Sequence, residues 1–144
     1  MLLELTDLTL LYGRIEALHG ISIEVENLGP LANDGQRIAR IVRDVDRTNF
    51  GTCPDWGNSS PEVRYPVLEQ ISPYAKTVHA KMYEFGPDGE ESTIDVGRCL
   101  QMLRSSGYAG YLVMEYGGQG DQFSGVERGL ALLRKHLDQP VGNA

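Results

Sequence analysis

Residues 107–137, GYAGYLVMEYGGQGDQFSGVERGLALLRKHL, hold one complete structural unit in 31 positions. Gly107 reads as the stop of a preceding helix, and Tyr111–Glu115 (YLVME) as a short strand. The glycine-rich loop YGGQGDQF follows. Ser124 and Glu127 then stand at capping-box spacing before a helix carrying Val126, Leu130, Leu133 and Leu137. Strand, loop and helix in this order make a βα unit of a parallel sheet.

The same unit recurs upstream. Ile21–Glu26 (ISIEVE) reads as a strand, and Asp34 caps a helix with Ile38, Ile41, Val42 and Val45 on one face. Asn49–Asp55 reads as a second strand, ended by WGNSSP, and the next helix has Pro66 in its first turn with Val67, Leu68 and Ile71 inward. Thr77–Ala80 is a third strand. The loop EFGPDGEE leads to a helix carrying Ile94, Val96, Leu100 and Leu103. The fold class is therefore α/β, four βα units over residues 21–137. Residues 1–20 form a separate short β segment of two strands or a hairpin, and 138–144 a frayed tail.

Each strand delivers one ligand-type side chain at or near its carboxyl end: Glu26, Asp55, His79 and Glu115. In parallel α/β folds these ends converge on one face, where sites form. Singly, an acid after a strand is more often a cap or a surface charge, and a lone histidine a hydrogen-bonded core residue. Four at equivalent places point to a common cation. Three carboxylates and one imidazole suit Mn²⁺ first, with Mg²⁺, Co²⁺ or Zn²⁺ as alternatives. Trp56 either stacks on a sugar or packs structurally. Lys81 shares the side of His79 and either meets a substrate oxygen or phosphate or stays solvated. His19 and His136 have no expected role.

The stretches VEN (25–27), CPDWGN (53–58), YAKTVHAKMY (74–83) and GYAGYLVMEY (107–116) resemble the second half of the xylose-isomerase-like sugar phosphate isomerases and epimerases. The resemblance implies the C-terminal half of a (β/α)8 TIM barrel, with the ligands Glu26, Asp55, His79 and Glu115 on barrel strands five to eight. It also implies that Glu26 and Glu115 act as acid and base on opposite faces of a sugar, through a metal-stabilised ene-diolate. Asn58 stands where many members carry a histidine three residues after the Asp, and with Lys81 and Trp56 it is assigned to substrate binding. Lys81 is followed by Met82 where many members have Asp, and an arginine found after the histidine in several epimerases has no counterpart. The first four barrel strands have no counterpart either, since a whole barrel needs about 250 residues. Residues 1–25 resemble the opening strands of ABC-transporter ATPases, but no GxxxxGK[ST] loop follows, which excludes ATP hydrolysis.

The net charge of -7, with 41% hydrophobic and 23% charged residues, opposes nucleic-acid and anionic-membrane binding. It also disfavours a DNA-repair endonuclease of the same barrel superfamily, which would need a histidine-rich zinc site. Cys53 and Cys99 are isolated and read as buried small hydrophobes of a reducing compartment, the cytoplasm. The expected ligand is a small sugar or sugar phosphate. The expected partner is a second copy, a homodimer closing a barrel over an apolar inner face. The alternative function is a non-catalytic half-barrel scaffold that needs this dimerisation to complete its fold.

Overall fold

The computed structural model describes residues 10–12, 15–18 and 22–138. The readings made for residues 1–9, for His19, for the start of the first barrel-type strand at Ile21 and for the tail 139–144 fall outside them. Strands β1 (Leu10–Tyr12) and β2 (Ile15–Leu18) pair antiparallel. Four βα units follow: β3 (Ile23–Glu26) with α1 (Gly35–Val45), β4 (Phe50–Cys53) with α2 (Arg64–Ile71), β5 (Val78–Met82) with α3 (Val96–Ser105), and β6 (Leu112–Tyr116) with α4 (Gln122–Leu137).

β3 pairs parallel with β4, and β5 with β6. The two pairs meet through the parallel bridges Thr52↔Ala75 and Asp55↔His79. Backbone bonds hold that seam: Trp56 N–H donates to His79 O (3.1 Å), His79 N–H to Pro54 O (3.0 Å) and Lys76 N–H to Thr52 O (2.9 Å). The strands thus stand in the order β3-β4-β5-β6, all pointing one way. Strand alternation sends Val78, Ala80 and Met82 into a core with Leu100, Leu103, Leu132 and Leu133 of the helices. Val25 packs with Ile38, Val67 and Ile71 in a smaller cluster.

The opposite face of the sheet corrects one expectation. It carries Glu24, Glu26, Thr77, His79, Lys81, Val113 and Glu115, the residues that alternate with the helix-facing ones. Thr77 Oγ1 donates to Glu24 across it at 2.9 Å. The inner face is therefore largely polar, not apolar, because it is the wall of a site and not of a core.

Local chemistry explains the helix ends. Asp34 and Asp95 accept from the backbone N–H of Arg37 and Arg98, each capping its helix. Gly107 sits at φ 74° just past α3, the left-handed conformation that glycine adopts without a Cβ clash. In α4 the cap is Asp121, accepting from Ser124 N–H at 2.8 Å, so the helix starts one turn before the capping box read from Ser124 and Glu127. Its buried face is Gly125, Gly129, Leu132 and Leu133, while Leu130 and Leu137 are exposed. The two glycines let α4 lie close on β6: a Cβ at Gly125 would overlap the Tyr116 ring, and one at Gly129 the Met114 side chain.

Gly125→Ala is expected to destabilise the fold by about 1–2 kcal/mol, because the overpacking cost exceeds the roughly 1 kcal/mol of helix propensity gained. Urea denaturation checks this, and an unchanged or raised midpoint would mean the Tyr116 ring yields freely. Among the described residues no helix is long and apolar enough to cross a membrane.

Candidate metal centre

The carboxyl ends of β3, β4 and β6 bring Glu26, Asp55 and Glu115 together. His79 is the second residue of β5, not late in its strand as the sequence reading has it, and joins them because the Asp55↔His79 bridge sets the start of β5 level with the end of β4. Glu26, the last residue of β3, sets Oε1 3.1 Å from His79 Nδ1. The same imidazole nitrogen lies 3.7 Å from Asp55 Oδ2 and 3.7 Å from Glu115 Oε2. Ligand atoms of Glu26, Asp55 and His79 all fall within 4.8 Å of one another. His79 and Glu115 reach the same face because each alternates with helix-facing residues of its strand.

Asp55 is fully buried. Its Oδ1 accepts from the backbone N–H of Gly57 (2.7 Å) and Asn58 (3.0 Å), a turn that fixes the carboxylate plane. Its Oδ2 has no hydrogen-bond partner, although it is buried. A buried carboxylate oxygen without a donor is costly unless a cation or a proton serves it. Burial, first of all, pushes the Asp55 carboxyl up to about 6 from 3.8; the Gly57 N–H and the Lys81 charge oppose this, and Glu115 adds to it.

Lys81, read as a substrate contact, is held among the acids. Its Nζ lies 2.9 Å from Glu115 Oε1 and 3.7 Å from Asp55 Oδ2, and donates to Asn58 Oδ1 at 3.1 Å. Asn58, also read as a substrate contact, donates its Nδ2 to Glu26 Oε1 at 3.1 Å. Glu26, Asn58, Lys81 and Glu115 thus form one hydrogen-bonded chain across the mouth of the sheet. Burial works against the charge of Glu115, but the Lys81 bond and charge outweigh it and hold the carboxyl below its usual range. Burial likewise disfavours the Lys81 ammonium, and its bond to Glu115 and the two acidic charges outweigh that, raising it.

Trp56 does not face the cluster. Its ring is 1% exposed, inside the main core with Leu68, Met82 and Ile94. The stacking role is corrected: the residue beside a site-facing Asp55 points to the opposite side and packs. Cys53 lies near the acids, but burial, then Glu24, Glu26 and Asp55, push its thiol to about 12, so it stays a thiol and no thiolate ligand.

Two residues outside the sequence reading complete the site. Asn27 is fully buried, and its amide bonds the backbone of Asp55 and the hydroxyl of Ser59. Only its adjacency to Glu26 marked it in the sequence.

The donors fit a hard divalent cation. Neighbouring ligands of an octahedral ion at about 2.1 Å stand roughly 3 Å apart, close to the 3.1 and 3.7 Å separations about His79 Nδ1. The three carboxylates, offset by the Lys81 ammonium, leave two net negative charges for a divalent ion, and Asp55 Oδ2, which accepts no hydrogen bond, offers it an oxygen.

A parallel βα array with acids and an imidazole on one face is the arrangement of half a parallel barrel. The sequence matches the xylose isomerase-like TIM barrel family over residues 8–136, and the chain belongs to that family. It is similar to the C-glycoside deglycosidase alpha subunit of Arthrobacter globiformis, with 30% identity over 78 residues, covering 49% of this chain. The chain spans 22% of that relative's length.

Proposed function

We propose that this chain is a divalent-metal-dependent sugar or sugar-phosphate isomerase or epimerase, with Mn²⁺ as its preferred ion. The observation that carries the reading is the meeting of Glu26, Asp55 and His79 within 4.8 Å, around a buried Asp55 oxygen that accepts no hydrogen bond. Glu26, Asp55, His79 and Glu115 would hold the ion. When bound, it supplies a Lewis-acid pole for the carbonyl and hydroxyl oxygens of the sugar.

The protein groups then divide the proton work. Glu26 leaves β3 and Glu115 leaves β6, the two outer strands of the array, so a sugar between them meets a carboxylate on each face. One group, ionised, removes a proton from the carbon beside the carbonyl, and the other, as the protonated carboxylic acid, returns one from the opposite side. Lys81 keeps Glu115 ionised, as a proton acceptor must be. Asn58 orients Glu26 through its amide.

The four units correspond to the second half of a (β/α)8 barrel. β3 and β6 each pair with one strand among the described residues, and a second copy pairing along both edges would close the array. The cytoplasm is the compartment this reading expects.

Calorimetry with Mn²⁺ tests the proposal. The wild-type chain is expected to bind one ion, and Glu115→Gln to bind at least tenfold more weakly. Hydrogen exchange from deuterated water into a common ketose is expected to stop in the same variant. Wild-type protein that takes up no Mn²⁺, or a variant that binds equally well, would falsify the reading. A second reading, cleavage of a C-glycoside, is favoured by the identity to the deglycosidase subunit. Turnover of a C-glycoside without proton exchange into ketoses would select it.

A further inference from the structure

Asp55 stands where the regular ladder has already ended. β3 stops at Glu26 and β4 at Cys53, and Pro54 has no N–H to give. On one side the backbone is still tied to β5, through Trp56 N–H on His79 O and His79 N–H on Pro54 O. On the other side, the N–H and C=O of Asp55 itself face the end of β3, where no strand backbone continues.

Asn27 fills that place with its side chain. Its Oδ1 accepts from Asp55 N–H at 2.7 Å, and its Nδ2 donates to Asp55 O at 2.9 Å. The amide offers one acceptor and one donor, as a peptide group would, and so extends the β3–β4 ladder by one step. Ser59 Oγ takes the second Nδ2 proton at 3.0 Å, and the donor-only N–H and acceptor-only C=O of Asp55 fix which end of the amide is which. With Oδ1 tied to Gly57 and Asn58, every polar atom of Asp55 except Oδ2 is bonded.

We infer that Asn27 is a positioning residue for the metal centre, its side-chain amide acting as a surrogate peptide that aims Asp55 Oδ2 at the ion. This rests on the metal reading above. The pairing needs a donor and an acceptor on one side chain, which a carboxylate at position 27 cannot offer.

Two variants of the full chain test it, Asn27→Ala and the near-isosteric Asn27→Asp. In metal-free protein, NMR is expected to show the Asp55 amide exchanging at least tenfold faster in Asn27→Ala, with the β5 amides unchanged. By calorimetry, Mn²⁺ is expected to bind at least tenfold more weakly to Asn27→Ala. Asn27→Asp separates geometry from charge: an added acid beside the cluster would by Coulomb attraction alone tighten Mn²⁺, whereas loss of the donor weakens it at least threefold. Tighter Mn²⁺ binding by Asn27→Asp overturns the inference, as does an unchanged Asp55 amide in Asn27→Ala. A wild-type chain without Mn²⁺ binding overturns the metal reading instead, and the exchange experiment then still decides the clamp.

Discussion

Asp55→Asn is expected to abolish measurable Mn²⁺ binding and, at the same time, to raise the thermal stability of the metal-free protein. The two effects have one origin. Asp55 is fully buried, its Oδ2 lacks a hydrogen bond, and its carboxyl is pushed up to about 6 from 3.8. At neutral pH the free protein therefore holds a charge that the fold disfavours, by about 3 kcal/mol for a shift of that size. Asparagine keeps the shape and an oxygen for the N–H groups of Gly57 and Asn58, but carries no charge. Part or all of that free energy returns as stability, a rise of roughly 5–10 °C in Tm for a domain of this size. The same change removes a ligand charge, and Mn²⁺ affinity is expected to fall more than 100-fold, beyond the 10–100-fold typical of losing a ligand's supporting contact. Calorimetry and scanning calorimetry in EDTA read the two arms. A variant that loses Mn²⁺ and also melts earlier without metal would mean that Asp55 is a structural acid, satisfied in the free protein. A site built for a cation pays in stability what it gains in affinity, and only the opposite signs of the two effects reveal that.

Much of this site is legible in the sequence because parallel strands impose a simple rule. A side chain at the carboxyl end of a strand reaches the shared face, and its immediate neighbour does not. Glu26, Asp55 and Glu115 follow the first half of the rule, whereas His79, second in a β5 that runs on to Met82, reaches the face through the stagger of β5 along β4. Lys81 follows from it too, two residues past His79 on the same strand. Trp56 follows the second half, and its placement in the core could have been drawn from its adjacency to Asp55. The α4 face was less readable. Gly125 and Gly129 carry no apolar signal, yet their missing side chains are what admit Tyr116 and Met114, so periodicity alone favoured Val126, Leu130 and Leu137. Its cap was misplaced by one turn because Asp121 and Ser124 are both good cap residues, and only the strand-to-helix distance decides between them. The polar inner face was hidden for a related reason: alternation shows that a strand has two faces, but not which of them meets the helices.

Asn27 lay beyond such rules. Its partners are backbone atoms 28 residues away, and no local pattern encodes a contact between the end of one strand and the bend after another. The same holds for the chain from Glu26 through Asn58 and Lys81 to Glu115. Asn58 and Lys81 were read as groups reserved for a ligand, whereas in the free protein each is already engaged with the acids. A substrate that reaches them must exchange with bonds that exist.

The pH dependence of the free and the loaded protein is expected to run in opposite directions. Asp55 has a folded value of about 6 against 3.8, so between these values the folded chain holds more protons than the unfolded one. Stability linked to this group is then greatest below about pH 3.8, falls as pH rises through the window, and is fully lost above about pH 6. Glu115 has the reverse sign: held below its usual range through Lys81, it contributes stability above that range and loses it as the pH falls. Asp55 and Glu115 interact, so wild type minus Asp55→Asn reads the burial of Asp55 together with its effect on Glu115, the burial being the larger. In EDTA that difference in unfolding free energy is expected to become less favourable to the wild type by about 2 kcal/mol from pH 3.8 to 6. With saturating Mn²⁺ the trend inverts, because the ion competes with the proton for the same oxygen, and its affinity falls as pH drops below about 6. Denaturant titrations at several pH values, each with EDTA and with Mn²⁺, read both slopes. Parallel pH profiles for the wild type and Asp55→Asn in EDTA would show that the buried acid is already served by a protein donor, and the case for a cation at Oδ2 would go with it.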